Sequence, residues 1–308
     1  MDAELESVFS FAREAKAPNT KRAYQSDWQA FSEFCVSRNQ PPLPSSADVV
    51  AQYLRHAAEK QRLKLSTVTR RVAAITEKHR ANGHPSPADE WVVRNTLRRL
   101  RRELGTPTRG KAPLLTSDLQ KIMQLIPATL TGSRDKAVLL LGFAGAMRRS
   151  ELVGLDVSDL AMAPEGLVLS VNKAKTDQFH QGRKIGIPNG KNELTCPVRA
   201  VLHWLENSRI MDGPLFRGVN KHGHVGSTRL TDQIVADIVK RYAAAIGKSV
   251  GKFSGHSLRA GFITSADMAG ASERSIQEQS GHKSLLTLRR YIRDASIFRA
   301  NAAAKVGL

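Results

Sequence analysis

At 308 residues, with 41% apolar side chains, the chain has enough material for one large or two ordinary domains with real cores. Its 47 Lys and Arg against 28 Asp and Glu leave a formal charge of +19, which points to a polyanion, with nucleic acid the default partner. Two cysteines, Cys35 and Cys196, exclude a disulfide framework and fit a reducing cytosol, while "MDAELESVFS" lacks a signal-peptide pattern and the longest apolar run, 137–147, is too short to span a bilayer.

The first third reads as four helices. "APNTKRAYQSDWQAFSEFCVSRN" carries a cap signal at Asn19 or Thr20, then Tyr24, Trp28, Phe31 and Cys35 at helical spacing. "QPPLPSS" breaks it. "SADVVAQYLRHAAEK", "STVTRRVAAITEKHRANG" and "ADEWVVRNTLRRLRRE" follow as three more helices, and the periodicity assigns their tryptophan and tyrosine residues to a core. Residues 62–111 hold thirteen Lys and Arg against four acids. A merely solvated face carries both signs, so this one-sided excess predicts a phosphate-tracking face, with Arg70, Arg71, Arg94, Arg98, Arg99, Arg101 and Arg102 as its candidates.

"GTPTRGKAP" over 105–113 has the Gly and Pro content of a linker. Beyond it, "LTSDLQKIMQLI" predicts a capped helix and 137–147 a buried one. "GLVLSV" (166–171) and "RKIGIP" (183–188) predict two strands joined by "NKAKTDQFHQG". Helices are expected over 196–209, 228–246, 256–269, 272–280 and 284–292. The fold class is therefore mainly α: an all-helical N-terminal domain (1–104), a linker (105–113), and an α-rich domain (114–308) with a small antiparallel sheet.

The chemistry-bearing residues cluster late in the chain. Arg148 leaves the buried helix in "GAMRRSELVGL", with Glu151 three residues on, placed to orient a guanidinium. Arg149 is adjacent, so the register of this arginine is open by one. Lys173 and Lys175 lie between the two strands. His256 and Arg259 share a helix face in "SGHSLRAGF". His282 follows in "SGHKSLLTLRRYIRDA", and Tyr291 stands among Arg289, Arg290 and Arg293. "KHGH" (221–224) has no cysteine or carboxylate at a metal-ligand spacing, and no Gly-rich phosphate loop occurs.

Taken in order, Arg148 in "RRSEL", Lys175 in "KTD", His256 and Arg259 in "HSLR", His282 in "GHKS" and Tyr291 in "RRYIR" resemble the tyrosine recombinases of the phage integrase family. The resemblance covers the chain from about 113 onward and more softly the N-terminal helices, which look like that family's core-binding domain. Its Arg-x-Ser-Glu pattern selects Arg148, and Ala260, where many relatives have histidine, suggests a Cre-like two-domain member without an arm-binding domain. The resemblance implies a site-specific recombinase in which Tyr291 attacks DNA, Arg148 and Arg259 hold the phosphate, Lys175 donates a proton, His256 and His282 assist, and Glu151 supports the site. It further implies double-stranded DNA as partner, four copies on two sites, a final "SIFRANAAAK" segment docking on a neighbour, no cofactor or metal, and a cytoplasmic, nucleoid-associated setting. A non-catalytic regulator is the rival, on the helix-turn-helix look of "SERSIQEQSGHKSLLTLRRYI".

Overall fold

The computed structural model describes residues 18–105, 110–172 and 182–293. The chain divides into two compact units, 1–109 and 110–308, each with a hydrophobic core of its own.

In the first unit the described elements are α1 (Pro18–Val36), α2 (Ala47–Glu59), α3 (Leu65–Arg80) and α4 (Trp91–Leu104). α1 already includes Pro18, so Asn19 and Thr20 lie inside its first turn and do not cap it. Proline fits there because a first-turn N–H has no intrahelical acceptor. The apolar stripes of the four helices meet at Phe31, Tyr53, Leu54, Val68, Ile75 and Val93, all fully buried. The Tyr53 ring lies 5.1 Å from that of Phe31 and 5.0 Å from that of Phe34. Trp91 departs from the expected core placement and is 72% exposed. It opens α4 two residues before Val93 and off the Val93–Leu97–Leu100 stripe that the core absorbs.

His79 is fully buried in this unit. Its Nε2 accepts the Ser45 backbone N–H at 2.9 Å, which fixes the proton on Nδ1, 2.9 Å from the Ile75 carbonyl. Burial holds its pKa below the ordinary histidine value.

The second unit contains α5 (Thr116–Leu125), α6 (Leu130–Ala144), α7 (Arg149–Gly154), β1 (Leu160–Ala163), β2 (Gly166–Val171), β3 (Arg183–Pro188), α8 (Pro197–Ser208), β4 (Arg217–Val219), β5 (Val225–Arg229), α9 (Asp232–Ala245), α10 (His256–Met268), α11 (Glu273–Ser280) and α12 (Leu285–Arg293). The two strands expected from sequence form with the expected bounds, and β1 joins them in an antiparallel meander β1-β2-β3. Leu167 pairs with Ile187 and Leu169 with Ile185, so one face of the hairpin enters the core. β4 and β5 form a second small sheet, and β5 occupies ground where sequence reading began the next helix. That helix starts at Asp232, capped by the Thr231 side chain.

Two features set the stage for the site. α6 begins at Leu130, before the apolar run 137–147, and ends at Ala144. Ala146 then takes φ of +46° and Met147 is buried, which turns the chain sharply into α7. α10 lies against residues 112–114: Leu114 donates to the Ser257 carbonyl at 3.0 Å. A Cβ at Gly261 would stand 1.9 Å from the Leu114 carbonyl oxygen, so only glycine permits this approach. A satellite core of Ile263, Ile276, Leu288 and Ile292 then ties α10, α11 and α12 together.

Candidate active site

Arg148 sits at the N-cap of α7, and Glu151 at the third helical position reaches back to it. The Glu151 carboxylate accepts the Arg148 backbone N–H at 3.0 Å and pairs with the Arg148 guanidinium. Its side chain is wholly buried. Burial pushes the Glu151 carboxyl upward, but the Arg148 backbone N–H and the Arg148 and Arg183 guanidinium groups outweigh it and hold the group below the ordinary value. Arg149 points elsewhere, 3.6 Å from Asp232. The arginine that enters the cluster is therefore Arg148.

α10 brings His256 on its first turn and Arg259 one turn later. Arg259 is 1% exposed; it donates to the Ala146 carbonyl at 2.7 Å and faces the His282 ring at 3.2 Å. Burial and then the charge of Arg148 bring its pKa down to about 10. His282, in the turn between α11 and α12, has Nδ1 2.7 Å from the Ser280 hydroxyl. Burial, then Arg259 and Arg148, push His282 down to about 3, so the ring is neutral at physiological pH. His256 is lowered too, by burial first and then by Arg259.

α12 presents Tyr291 to this cluster. Its hydroxyl lies 2.6 Å from His256 Nε2, and its ring centroid is 5.8 Å from those of both His256 and His282. Burial raises the phenol above its ordinary value, and Arg259, Arg148 and Arg290 offset that only in part. The other tyrosines are differently placed. Tyr53 bonds Arg71 at 2.7 Å inside the first unit, Tyr242 bonds the buried Asp135 at 3.3 Å, and both phenols are raised to about 12. Tyr24 lies on α1.

The chemical content is a buried anion receptor, built from two guanidinium groups with a phenol and a neutral imidazole at its edge. Residues 113–296 match the model of the phage integrase family. An integrase/recombinase XerD homolog from Selenomonas ruminantium is 40% identical over 94% of this chain and 85% of its own length. The chain belongs to the phage integrase family. A XerC tyrosine recombinase from a Roseiflexus species is 30% identical over 89% of this chain and 83% of its own length. Among solved structures, XerH recombinase on its difH substrate is similar with a TM-score of 0.67 at 19% identity, covering 99% of this chain and 84% of that one. Lambda integrase on a core site is similar with a TM-score of 0.63 at 18% identity, covering 96% and 95%. The family is that of tyrosine-type site-specific recombinases, and the mainly helical fold with its small sheets is theirs.

Of the residues singled out in this recombinase from sequence, Arg148, Glu151, His256, Arg259, His282 and Tyr291 come together. Lys173 and Lys175 lie outside the described residues, as does the chain from 294 onward. The segment with a helix-turn-helix look becomes α11 and α12, whose turn and second helix deliver His282 and Tyr291 to the arginines. Arg183 was not singled out. It begins β3, with NH2 3.2 Å from Glu151 Oε2 and NH1 2.8 Å from the Gln279 carbonyl. In sequence it is one more strand-end arginine, 32 positions from its carboxylate.

The basic residues of the first unit divide. Arg94, Arg98, Arg101 and Arg102 are exposed on α4, and Arg99 is exposed but pairs with Glu103 at 2.6 Å. Arg70 forks onto the buried Asp27 at 2.7 and 3.1 Å. Arg71 is a correction: its side chain is only 13% exposed and is spent on Tyr53, Gln61 and Asp27, so it serves the interior and not an outer face. The charge count over 62–111 could not register Asp27, which lies before the counted stretch. Among the described residues no group of His, Cys, Asp and Glu is arranged to hold a metal ion, and no helix is long and apolar enough to cross a membrane.

Proposed function

We propose that this recombinase cleaves one DNA strand with Tyr291 and retains it as a 3′-phosphotyrosine. The Tyr291 oxygen attacks phosphorus and passes its proton to His256 Nε2, whose lone pair is open to it because burial first, and then the neighbouring arginines, disfavour the protonated ring. Arg148 and Arg259 fork onto the non-bridging oxygens and stabilise the pentavalent transition state. The P–O5′ bond breaks, and Lys175 donates the proton that the 5′-oxygen needs. His282 hydrogen-bonds the phosphate, and Glu151 holds Arg148 in place. The bond energy stays in the phosphotyrosine, so rejoining by the reverse attack of a 5′-hydroxyl needs no ATP or other cofactor.

The partner is double-stranded DNA, a reading supported by the difH substrate and the core site on which XerH and lambda integrase were solved. The helical first unit would track the backbone through Arg94, Arg98, Arg99, Arg101 and Arg102, with Arg70 at its edge. Four copies on two sites would exchange strands through a Holliday junction, in the cytoplasm on nucleoid DNA.

The observation that carries the catalytic assignment is the Tyr291 hydroxyl at 2.6 Å from His256 beside the buried Arg259. A nicked suicide duplex carrying the site that the protein protects in footprinting tests it. With EDTA present, the wild type should accumulate a denaturation-resistant adduct that peptide mapping places on Tyr291. Tyr291→Phe should bind and form none. Arg148→Ala and Arg259→Ala should bind but cleave about 10²–10³-fold more slowly. An adduct on Tyr242, or one that persists in Tyr291→Phe, overturns the assignment. No adduct under any condition favours a non-catalytic DNA-binding protein.

A further inference from the structure

Resting on that reading, we infer that Arg183 is a positioning residue: a two-armed strap that joins the carboxylate behind Arg148 to the turn that carries His282. One arm, NH2, donates to Glu151 Oε2 at 3.2 Å. The other, NH1, donates to the Gln279 carbonyl at 2.8 Å, three residues before His282. The side chain is 19% exposed, so both donating edges are turned inward.

Three features make this more than one further ion pair. First, Glu151 has two oxygens and two arginines. Oε1 faces the Arg148 guanidinium, while Oε2 takes both the Arg148 backbone N–H and Arg183. Arg183 thereby fixes the carboxylate plane that aims Arg148. Second, the turn is shaped around the guanidinium. Gly281 has φ of +64°, and a Cβ there would stand 2.8 Å from Arg183 NH1 and 2.9 Å from its Cζ. Third, Gln279 continues the link, since its side chain donates to the Ala144 carbonyl at 2.8 Å, at the end of α6 just before the turn into Arg148. The phosphate-holding arginine on α7 and the histidine turn after α11 thus share one guanidinium, which stands at the start of β3 just beyond the segment bearing Lys175. Burial lowers the Arg183 pKa, and Glu151 opposes that only in part.

A residue acting through Glu151 should move the chemistry and not the grip on DNA. The test is single-turnover adduct formation on the suicide duplex at saturating protein, across pH 5–9, for wild type, Arg183→Ala, Arg183→Lys, Glu151→Gln and the double variant Arg183→Ala/Glu151→Gln. Arg183→Ala should cleave at least about tenfold more slowly, with DNA affinity within about twofold and its acid limb displaced upward, because Glu151 has lost a cationic partner. Arg183→Lys, a point charge that cannot fork, should recover only part of the rate. The double variant should be no slower than the worse single variant, since both act on one device.

Wild-type rate and pH profile in Arg183→Ala would overturn the inference. So would additive losses, or a weaker DNA affinity with a flatter salt dependence, which would make Arg183 a phosphate ligand. If Arg183→Ala melts at lower temperature, Arg183→Lys, which keeps the charge, separates folding from positioning: full recovery of rate there would also refute the strap. Wild type is the internal control. If it forms no adduct on Tyr291, the catalytic reading itself has failed, and that result is distinguishable from the others.

Discussion

Glu151→Gln removes one negative charge and almost no volume from between two guanidinium groups. The carboxylate is fully buried and bonds Arg148 twice and Arg183 once. Losing one partner of a buried ion pair costs about 3–5 kcal/mol, because the survivors keep an uncompensated charge. Here Arg148 and Arg183 remain 22% and 19% exposed, so water relieves part of the repulsion and the lower end, about 3 kcal/mol, is expected. For a unit of this size each kcal/mol moves the midpoint by about 2–4 °C, so calorimetry of the full chain should show the second unit melting about 6–12 °C lower. The deficit has a sign in pH. The folded-state pKa of Glu151 is depressed, so its contribution is complete above the unfolded value of about 4.3 and is lost as pH falls through the folded value. The difference from wild type should therefore be full at pH 7 and shrink below about pH 4.3. A midpoint within about 2 °C of wild type, or a deficit unchanged at low pH, would refute the view that Glu151 neutralises the arginine cluster.

Replacing Arg98, Arg99, Arg101 and Arg102 together with Ala should flatten the log–log salt dependence of DNA binding, by about 0.9 for each phosphate left without its cation, and an unchanged slope would mean that α4 does not touch DNA. His79 should make the first unit pH-sensitive. Its folded pKa is depressed, so its contribution is whole above about 6.5 and falls as pH drops below it, when protonated Nε2 meets the Ser45 N–H. Hydrogen exchange over residues 45–80 should accelerate below that pH, beyond the intrinsic trend, in the wild type and much less in His79→Gln; equal behaviour would remove His79 as the cause.

What sequence reveals here depends on how far apart the partners lie. Strands β2 and β3 are legible because five of their residues, Leu167, Leu169, Val171, Ile185 and Ile187, alternate into a core, whereas β1, β4 and β5, of three to five residues, bury too little to leave a pattern. Glu151 is legible because helical geometry brings it back to Arg148 over three residues. Arg183 and Gln279 meet only through tertiary packing across 96 positions, and no local rule announces such a meeting. The same blindness let Arg71 pass for a surface charge, since its partners Tyr53 and Asp27 lie far from it in sequence, whereas Arg70 stays half exposed while forking onto Asp27. Trp91 was misplaced for the opposite reason: helical period alone does not say which residue of the first turn the core will reach.

The hydrogen bond between Tyr291 and His256 joins two parts of a single chain. On the proposed reading each copy would carry nucleophile and phosphate clamp together and borrow neither from a neighbour. Two defective copies, one lacking the phenol and one lacking Arg259, should fail to complement when mixed. In blends of sound and defective protein, the first cleavage event should decline in simple proportion to the sound fraction. Competence at each scissile bond is then a private property of the subunit bound there, and whatever alternation an assembly imposes must act by permitting or withholding that subunit's own reaction.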